Sequence, residues 1–242
     1  VLCLQEMFIF ALGPLLLCGD FEYLHRELVH KLGYSYYSDP MQTLPSVIGG
    51  NSGLMIYSKY PLQQCNSCAF DTRIRRFFSA KGWMSATLAL SAGADNEPAS
   101  LRIINTHFEH ENREYIMGQM QVLRDEIMQS EQHRYRVCLG DFNICSKFTF
   151  EEDCESPHRL YDILQPTMAQ CGLEHDVFCE EERTFRATEK EPNACYDHMF
   201  VNEPMKKIIS DTMIVDYSQK DGDLVMSDHY GLCIQLKIDQ NK

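Results

Sequence analysis

Apolar residues recur along this chain with two periods, and the periods alternate. Val1 to Gln5 is a short apolar run with the character of a buried strand. From Phe21 the spacing changes: Phe21, Leu24, Leu28 and Leu32 fall on one helical face, with Asp20 as cap and Gly33 as stop. Ser52 to Ser58 reads as a strand, and Tyr60-Pro61 turns the chain. Trp83 to Leu90 alternates like a half-buried strand, Ser91 to Ala99 is a polar turn, and Leu101 to Phe108 is a strand again. A second amphipathic helix follows Asn112, with Ile116, Met120, Leu123 and Ile127 inward and Arg113, Arg124 and Glu126 outward. Tyr135 to Phe142 is a strand, and Pro157 to Cys171 a helix broken near Pro166. Tyr196 to Val201, Ile208 to Val215 and Gly231 to Ile238 are strands. Such an order predicts an α/β sandwich, two sheets face to face with helices outside.

Composition narrows the class. A chain of 242 residues suits one domain, spanning 1–242, and 44% hydrophobic with 11% aromatic residues is the make-up of a folded protein. The net charge of −13 repels nucleic acid unless basic residues are concentrated or cations are bound. It favours divalent-metal use by any activity on phosphate esters and disfavours a nucleic-acid substrate. Arg73, Arg75, Arg76 and Lys81 form the basic cluster, read either as a solvated loop or as an attractor of an anionic substrate or membrane surface. The 11 Cys are odd in number and dispersed, which points to reduced thiols and a cytoplasmic setting. Cys65-x-x-Cys68 lacks a second pair at zinc spacing. No apolar run reaches the ~20 residues of a membrane-spanning helix. The nearest, Met7 to Cys18, is interrupted by Gly13-Pro14. It reads as a buried strand end and loop, or as an apolar loop that makes peripheral contact with a lipid interface.

The chemistry-bearing residues gather where apolar runs begin or end. Glu6 follows the first strand; its carboxylate suits a hard cation, although a solvated loop residue would look the same. Asn105-Thr106-His107 closes another strand, and His107 is read as a phosphate-binding group. His107-x-x-His110 straddles a strand end and is not read as a metal pair; His110 is expected to face solvent. Gly140-Asp141-Phe142-Asn143 follows the Tyr135 run. In extended chain Asp141 and Asn143 face one cleft, Phe142 packs inward, and Gly140 allows close backbone approach. Asp197 precedes an apolar strand and can orient His229, an imidazole suited to proton transfer near neutral pH. His198 is expected on the strand surface. Asp228 adjoins His229 and points elsewhere, towards metal or phosphate. Lys81, before Gly82-Trp83, is expected at the same sheet end as the acids.

Taken in order, these pieces resemble the endonuclease/exonuclease/phosphatase superfamily, to which deoxyribonuclease I belongs. The matching stretches are Leu4-Gln5-Glu6, Asn51 to Pro61, Asn105-Thr106-His107, Gly140 to Asn143, Tyr196-Asp197-His198 and Ser227-Asp228-His229. The resemblance implies a four-layer α/β/β/α sandwich of two mixed, mainly antiparallel sheets. It implies Mg²⁺ or Mn²⁺ as cofactor, with Glu6 and Asp228 in the metal site. His107 is implied at the scissile phosphate, and Asp141 with Asn143 at the nucleophilic water and phosphate. Asp197 is implied as the orienting acid, His229 as the catalytic histidine, and Lys81, Asn143 and His107 as substrate contacts.

Asn51-Ser52-Gly53-Leu54, Ser58-Lys59-Tyr60-Pro61 and Lys81-Gly82-Trp83 are most similar to the neutral sphingomyelinase branch. That similarity implies hydrolysis of a phospholipid headgroup phosphodiester, releasing phosphorylated headgroup and ceramide. A nuclease or deadenylase with the same centre is the alternative, and an inactive fragment a further one. Family members carry an earlier strand with a metal-ligating Asn, so the chain is expected to lack its first strand.

Overall fold

Alternation along the strands sorts side chains into two apolar layers, and those layers define the architecture. The computed structural model describes residues 1–6, 10–12, 15–17, 19–38, 48–49, 52–70, 81–90, 99–110, 113–146, 160–179, 184, 194–216 and 229–238. In chain order the first elements are β1 (Leu2–Leu4), β2 (Phe10–Leu12), β3 (Leu15–Leu17), α1 (Gly19–Arg26), β4 (Tyr36–Tyr37), β5 (Ile48–Gly49) and β6 (Met55–Ser58). Then come β7 (Leu62–Ala69), β8 (Gly82–Ala89), β9 (Ser100–His107), α2 (Arg113–Gln129), β10 (Tyr135–Asp141) and α3 (Leu160–Gln170). The last are β11 (His175–Asp176), β12 (Asp197–Val201), α4 (Glu203–Lys206), β13 (Ile209–Val215) and β14 (Gly231–Leu236).

The central sheet has six strands in the order β11-β12-β10-β9-β8-β7. Only β9 and β10 are parallel within it, joined through α2, because a parallel pair needs a crossover connection. One face of this sheet packs under α2 and α3. Ile104, Cys138, Phe142 and Phe200 meet Ile116, Met120, Leu123 and Ile127 of α2 and Leu164 and Met168 of α3 there. Each such buried side chain contributes on the order of 1.5–3 kcal/mol. The opposite face meets the second sheet layer. Met84, Ile103, Val137, Met199 and Val201 pack on Leu54 and Ile56, with partly buried Ile214, Leu232 and Ile234 of the β13-β14 pair. Beyond that layer, Met55 and Tyr57 of the β1-β6-β4 sheet pack against Leu24, Leu28 and Val29 from α1 and the π-helical turn Glu27–Lys31. The result is the expected four-layer α/β/β/α sandwich.

Several local expectations change. α3 runs through Pro166 without a break. Glu126, expected outward, is buried, because Arg102 from β9 lies beneath α2 and bonds it at 2.8 Å, while Ser85 donates to the same carboxylate at 3.0 Å. The stretch holding Cys65 and Cys68 is the edge strand β7, largely exposed and too polar to show an apolar pattern. Phe10–Leu12 and Leu15–Leu17, expected as a strand end and loop or as an apolar loop, pair as an antiparallel hairpin whose first strand also pairs with β5. Among the described residues no helix is long and apolar enough to cross a membrane.

Candidate active site

Register places the predicted residues in one row. Asp141 lies opposite His107 across the β10–β9 pair and opposite Asp197 across the β10–β12 pair. Gly82 lies opposite His107, so Lys81 stands at the neighbouring strand end. The alternate residues Ile103, Val137, Met199 and Val201 all belong to the inter-sheet core. By the period of a strand, His107, Asp141 and Asp197 face the same way, at the mouth between the two sheets. Gly140 makes the row possible: its φ is 142°, and a Cβ there would lie 1.9 Å from the carbonyl oxygen of Thr106.

Asn105, one step inward on β9, ties the two sheets together. Its side chain is fully buried. It donates to the carbonyls of Leu4 at 2.9 Å and Met55 at 3.2 Å, and accepts from Gln5 Nε2 at 2.6 Å. Gln5 and Leu4 are thereby fixed beside the row of His107, Asp141 and Asp197, and Glu6, next along the chain, is exposed at φ 60°. Asn105 was part of a recognised motif, but nothing in its spacing announced an inter-sheet clamp.

The polar contacts run through the row without interruption. His107 is buried, with Nε2 3.3 Å from Asp141 Oδ2 and Nδ1 3.3 Å from Lys81 Nζ. The Lys81 ammonium approaches Nε2 more closely still and donates to it when that nitrogen carries its lone pair. Asp141 Oδ1 accepts from the Asn143 backbone N–H at 2.8 Å, and Asn143 Nδ2 donates to the Phe108 carbonyl at 2.8 Å. Asn143 is not extended as expected. It sits at φ 49°, a conformation Asn tolerates, which turns its N–H back onto Asp141. Phe142 between them is fully buried, as expected.

His229 completes the constellation from the far end of the chain. Its Nδ1 is 2.7 Å from Asp197 Oδ2, and its Nε2 faces Asp141 Oδ2 at 3.9 Å, too far for a direct hydrogen bond. Its side chain is 27% exposed. Thr184, which no local signal marked, supports this pair. Its hydroxyl oxygen accepts from the Tyr196 and Asp197 N–H groups, each at 3.0 Å, and its carbonyl accepts from Tyr230 N at 2.8 Å.

The two aspartates titrate in opposite directions. Burial pushes the Asp197 carboxyl above its usual range and the nearby Asp141 charge adds to that, while His229 and Thr184 offset only part. Burial also acts on Asp141, but the hydrogen bond and charge of His107, the charge of His229 and the Asn143 N–H outweigh it, and its carboxyl is held below the usual range. Asp141 therefore stays ionised beside the imidazoles. A pair of carboxyls separated in this way is a common arrangement for acid–base work.

Asp228 lies outside the described residues, as do Asn51, Arg73, Arg75 and Arg76. His198, expected on the surface, is fully buried on the helical side of the sheet, because it alternates with Asp197 along β12. His110 faces solvent, its side chain 61% exposed. Among the described residues no three His, Cys, Asp or Glu side chains gather as a metal cage. Mg²⁺ needs none, since it binds through one or two carboxylates and keeps several waters. The exposed, hard oxygen donor of Glu6 fits such an ion.

Residues 1–229 match the model of the Endonuclease/Exonuclease/phosphatase family. Comparison with curated proteins gives no match. Among solved structures, an endonuclease/exonuclease/phosphatase from Beutenbergia cavernae is 18% identical with a TM-score of 0.64; the alignment covers 98% of this chain and 62% of that one. This chain thus spans less than two thirds of that relative's length. Beta toxin from Staphylococcus aureus is 15% identical with a TM-score of 0.58, covering 97% of this chain and 86% of its own. A 3′-5′ exonuclease from Neisseria meningitidis is 14% identical with a TM-score of 0.55, covering 87% and 82%. At these identities the likeness is one of fold.

Proposed function

The chain belongs to the endonuclease/exonuclease/phosphatase family, and from that premise we propose that it hydrolyses a phosphodiester, with a sphingomyelin-type phospholipid as substrate. One observation carries the reading: His229 has Nδ1 held by a buried carboxylate while Nε2 opens towards an ionised Asp141 in a row that ends in Lys81 and His107. Asp197 fixes the tautomer, leaving the Nε2 lone pair to take a proton from water. That water adds to phosphorus, the bond to the leaving oxygen breaks, the leaving oxygen takes up a proton from bulk water, and the products are an alcohol and a phosphomonoester. Asp141 and Asn143 hold the water and a phosphate oxygen, and Lys81 with His107 binds the other phosphate oxygens as negative charge builds on them. Mg²⁺ or Mn²⁺ held by Glu6, with Asp228 as second ligand, would supply further charge neutralisation at the phosphate.

The choice of lipid rests on the sphingomyelinase-like stretches around Asn51 to Pro61 and Lys81 to Trp83, and on the net charge of −13, which opposes a polyanion groove. It implies work at a membrane surface from the cytoplasmic side. Turnover with Mg²⁺ should be measured on sphingomyelin in mixed micelles, on lysophospholipid, and on DNA and RNA. Sphingomyelin should lead. Strong, salt-sensitive cleavage of DNA or RNA with no lipid turnover refutes the lipid assignment and leaves a nuclease or deadenylase; no turnover of any substrate refutes the enzyme and leaves an inactive fragment.

A further inference from the structure

The row behind the catalytic one carries a buried polar group that the chemistry above does not use. Asp197 faces the cleft, and one residue on, His198 points to the other face of the sheet, fully buried beneath the helices. Both its ring nitrogens are engaged. Nδ1 lies 2.8 Å from Asp176 Oδ2, and Nε2 lies 2.7 Å from the carbonyl oxygen of Ile144. A carbonyl oxygen only accepts, so Nε2 carries a proton. Asp176 is itself surrounded by donors: the Tyr161 hydroxyl reaches Oδ2 at 3.0 Å, and the N–H groups of Phe178 and Met199 reach Oδ1, each at 3.4 Å. A carboxyl in that setting is ionised, which places a second proton on Nδ1 and makes His198 an imidazolium. The rings of Tyr161, Phe142 and Phe200 lie around it at centroid distances of 5.2, 5.7 and 5.8 Å, an environment that favours a cation. The titration directions agree: burial alone would lower the His198 pKa, yet the bond and charge of Asp176 raise it, and Asp176 is itself lowered.

What His198 holds matters more than its charge. Ile144 directly follows Asn143, whose backbone sits at φ 49°. Asn tolerates that conformation, and the contacts around it offset what cost remains. The segment is bound to the approach of β12 by Phe142 N donating to Tyr196 O at 3.0 Å and Ser146 N to Cys195 O at 3.2 Å. Between these two anchors, His198 grips the Ile144 carbonyl. We propose that His198, protonated and paired with Asp176, is a positioning residue that fixes the Asn143 peptide and, through the Asn143 N–H, the Asp141 carboxylate. The consequence for turnover rests on the hydrolytic reading of the cleft; the ion pair and its grip on the loop do not.

Three measurements test this on the intact chain. Nitrogen-15 NMR of the wild-type imidazoles should show His198 with both ring nitrogens protonated at pH 7; a single protonated nitrogen overturns the proposal. Amide exchange of Asn143 should accelerate in His198→Phe and less so in His198→Gln, which can still donate to Ile144, while Val137 to Leu139 stay protected. The kcat for the phosphodiester should fall ~10-fold or more in His198→Phe with KM little changed, as expected when a reacting group is displaced, and should recover in part in His198→Gln. A folded His198→Phe with wild-type exchange at Asn143 and wild-type kcat overturns it. If His198→Phe does not fold, the wild-type spectrum and His198→Gln decide. Absence of hydrolysis by the wild-type chain refutes the functional reading alone, and the spectrum and exchange still decide the role of His198.

Discussion

Replacing Asp197 by Asn should lower turnover without lowering stability, and the two effects have separate origins. In the wild-type chain Asp197 Oδ2 lies 2.7 Å from His229 Nδ1. A hydrogen bond to a charged group is worth about 1.5–3 kcal/mol and a neutral one about 0.5–1.5 kcal/mol, so the amide forfeits about 1–2 kcal/mol of the interaction that holds an imidazolium. At about 1.4 kcal/mol per factor of ten, kcat falls roughly 5- to 30-fold. If the amide nitrogen faces Nδ1, His229 is driven into the tautomer with its proton on Nε2, and the loss grows to ~10²-fold or more. Stability behaves differently. Burial raises the folded-state pKa of Asp197 above its ordinary 3.8, so the stabilising contribution of its neutral form is full below 3.8 and is lost as pH rises through the folded value. Above that value the ionised carboxylate opposes folding, and Asn removes that cost. His229 is not left as a stranded buried charge, because its side chain is 27% exposed. The assay is kcat and KM on bis(p-nitrophenyl) phosphate at pH 7 beside a thermal melt. Full kcat in the variant, or a Tm that drops in step with activity, refutes Asp197 as the orienting acid.

Four further outcomes follow from the same geometry. Gly140→Ala places a Cβ 1.9 Å from the Thr106 carbonyl at a φ of 142°, and should cost several degrees of Tm and abolish turnover by forcing β9 and β10 apart; a wild-type melt contradicts the packing. Asn105→Leu removes bonds to Leu4, Gln5 and Met55 and should destabilise by about 2–4 kcal/mol in urea unfolding, and a shift under about 0.5 kcal/mol would contradict the inter-sheet clamp. Glu6→Gln should weaken Mg²⁺ binding by calorimetry, and unchanged affinity removes Glu6 from the metal site. The His198–Asp176 pair should make Tm depend on pH on both sides. His198 has a raised pKa, so its contribution is full below 6.5 and lost as pH rises through the folded value. Asp176 has a lowered pKa, so its contribution is present above 3.8 and lost as pH falls through the folded value. Melts of His198→Gln should lose the alkaline decline, and an unchanged profile contradicts the pairing.

What could be read in the sequence was whatever lies in one short stretch. Strands such as Tyr135–Asp141 and helices such as Arg113–Gln129 announce themselves because one face of each is apolar at a fixed period. His107, Asp141 and Asp197 stood out because each adjoins such a run, and register then brings them level. β7 was silent because an edge strand with polar, exposed residues has no apolar face to display. Glu126 was misplaced because a charged residue on a helix reads as outward until Arg102 is known to lie beneath it.

The supports of the site left no local trace, since each depends on a partner far along the chain. Asn105 binds Gln5 across 100 positions and Leu4 across 101, and His198 reaches Asp176 across 22 and Ile144 across 54. Two adjacent residues of β12 show the consequence. Asp197 was legible because its role is chemical and its neighbourhood apolar. His198, one position on, looked like a surface histidine because its role comes wholly from what the fold packs against it. Alternation along a strand ties the two positions together: the face that carries Asp197 is rigid to the extent that the opposite face is pinned. A substitution at His198 should therefore reach the cleft through the peptide of Asn143 and Asp141, and leave the Asp197–His229 contact of 2.7 Å unchanged.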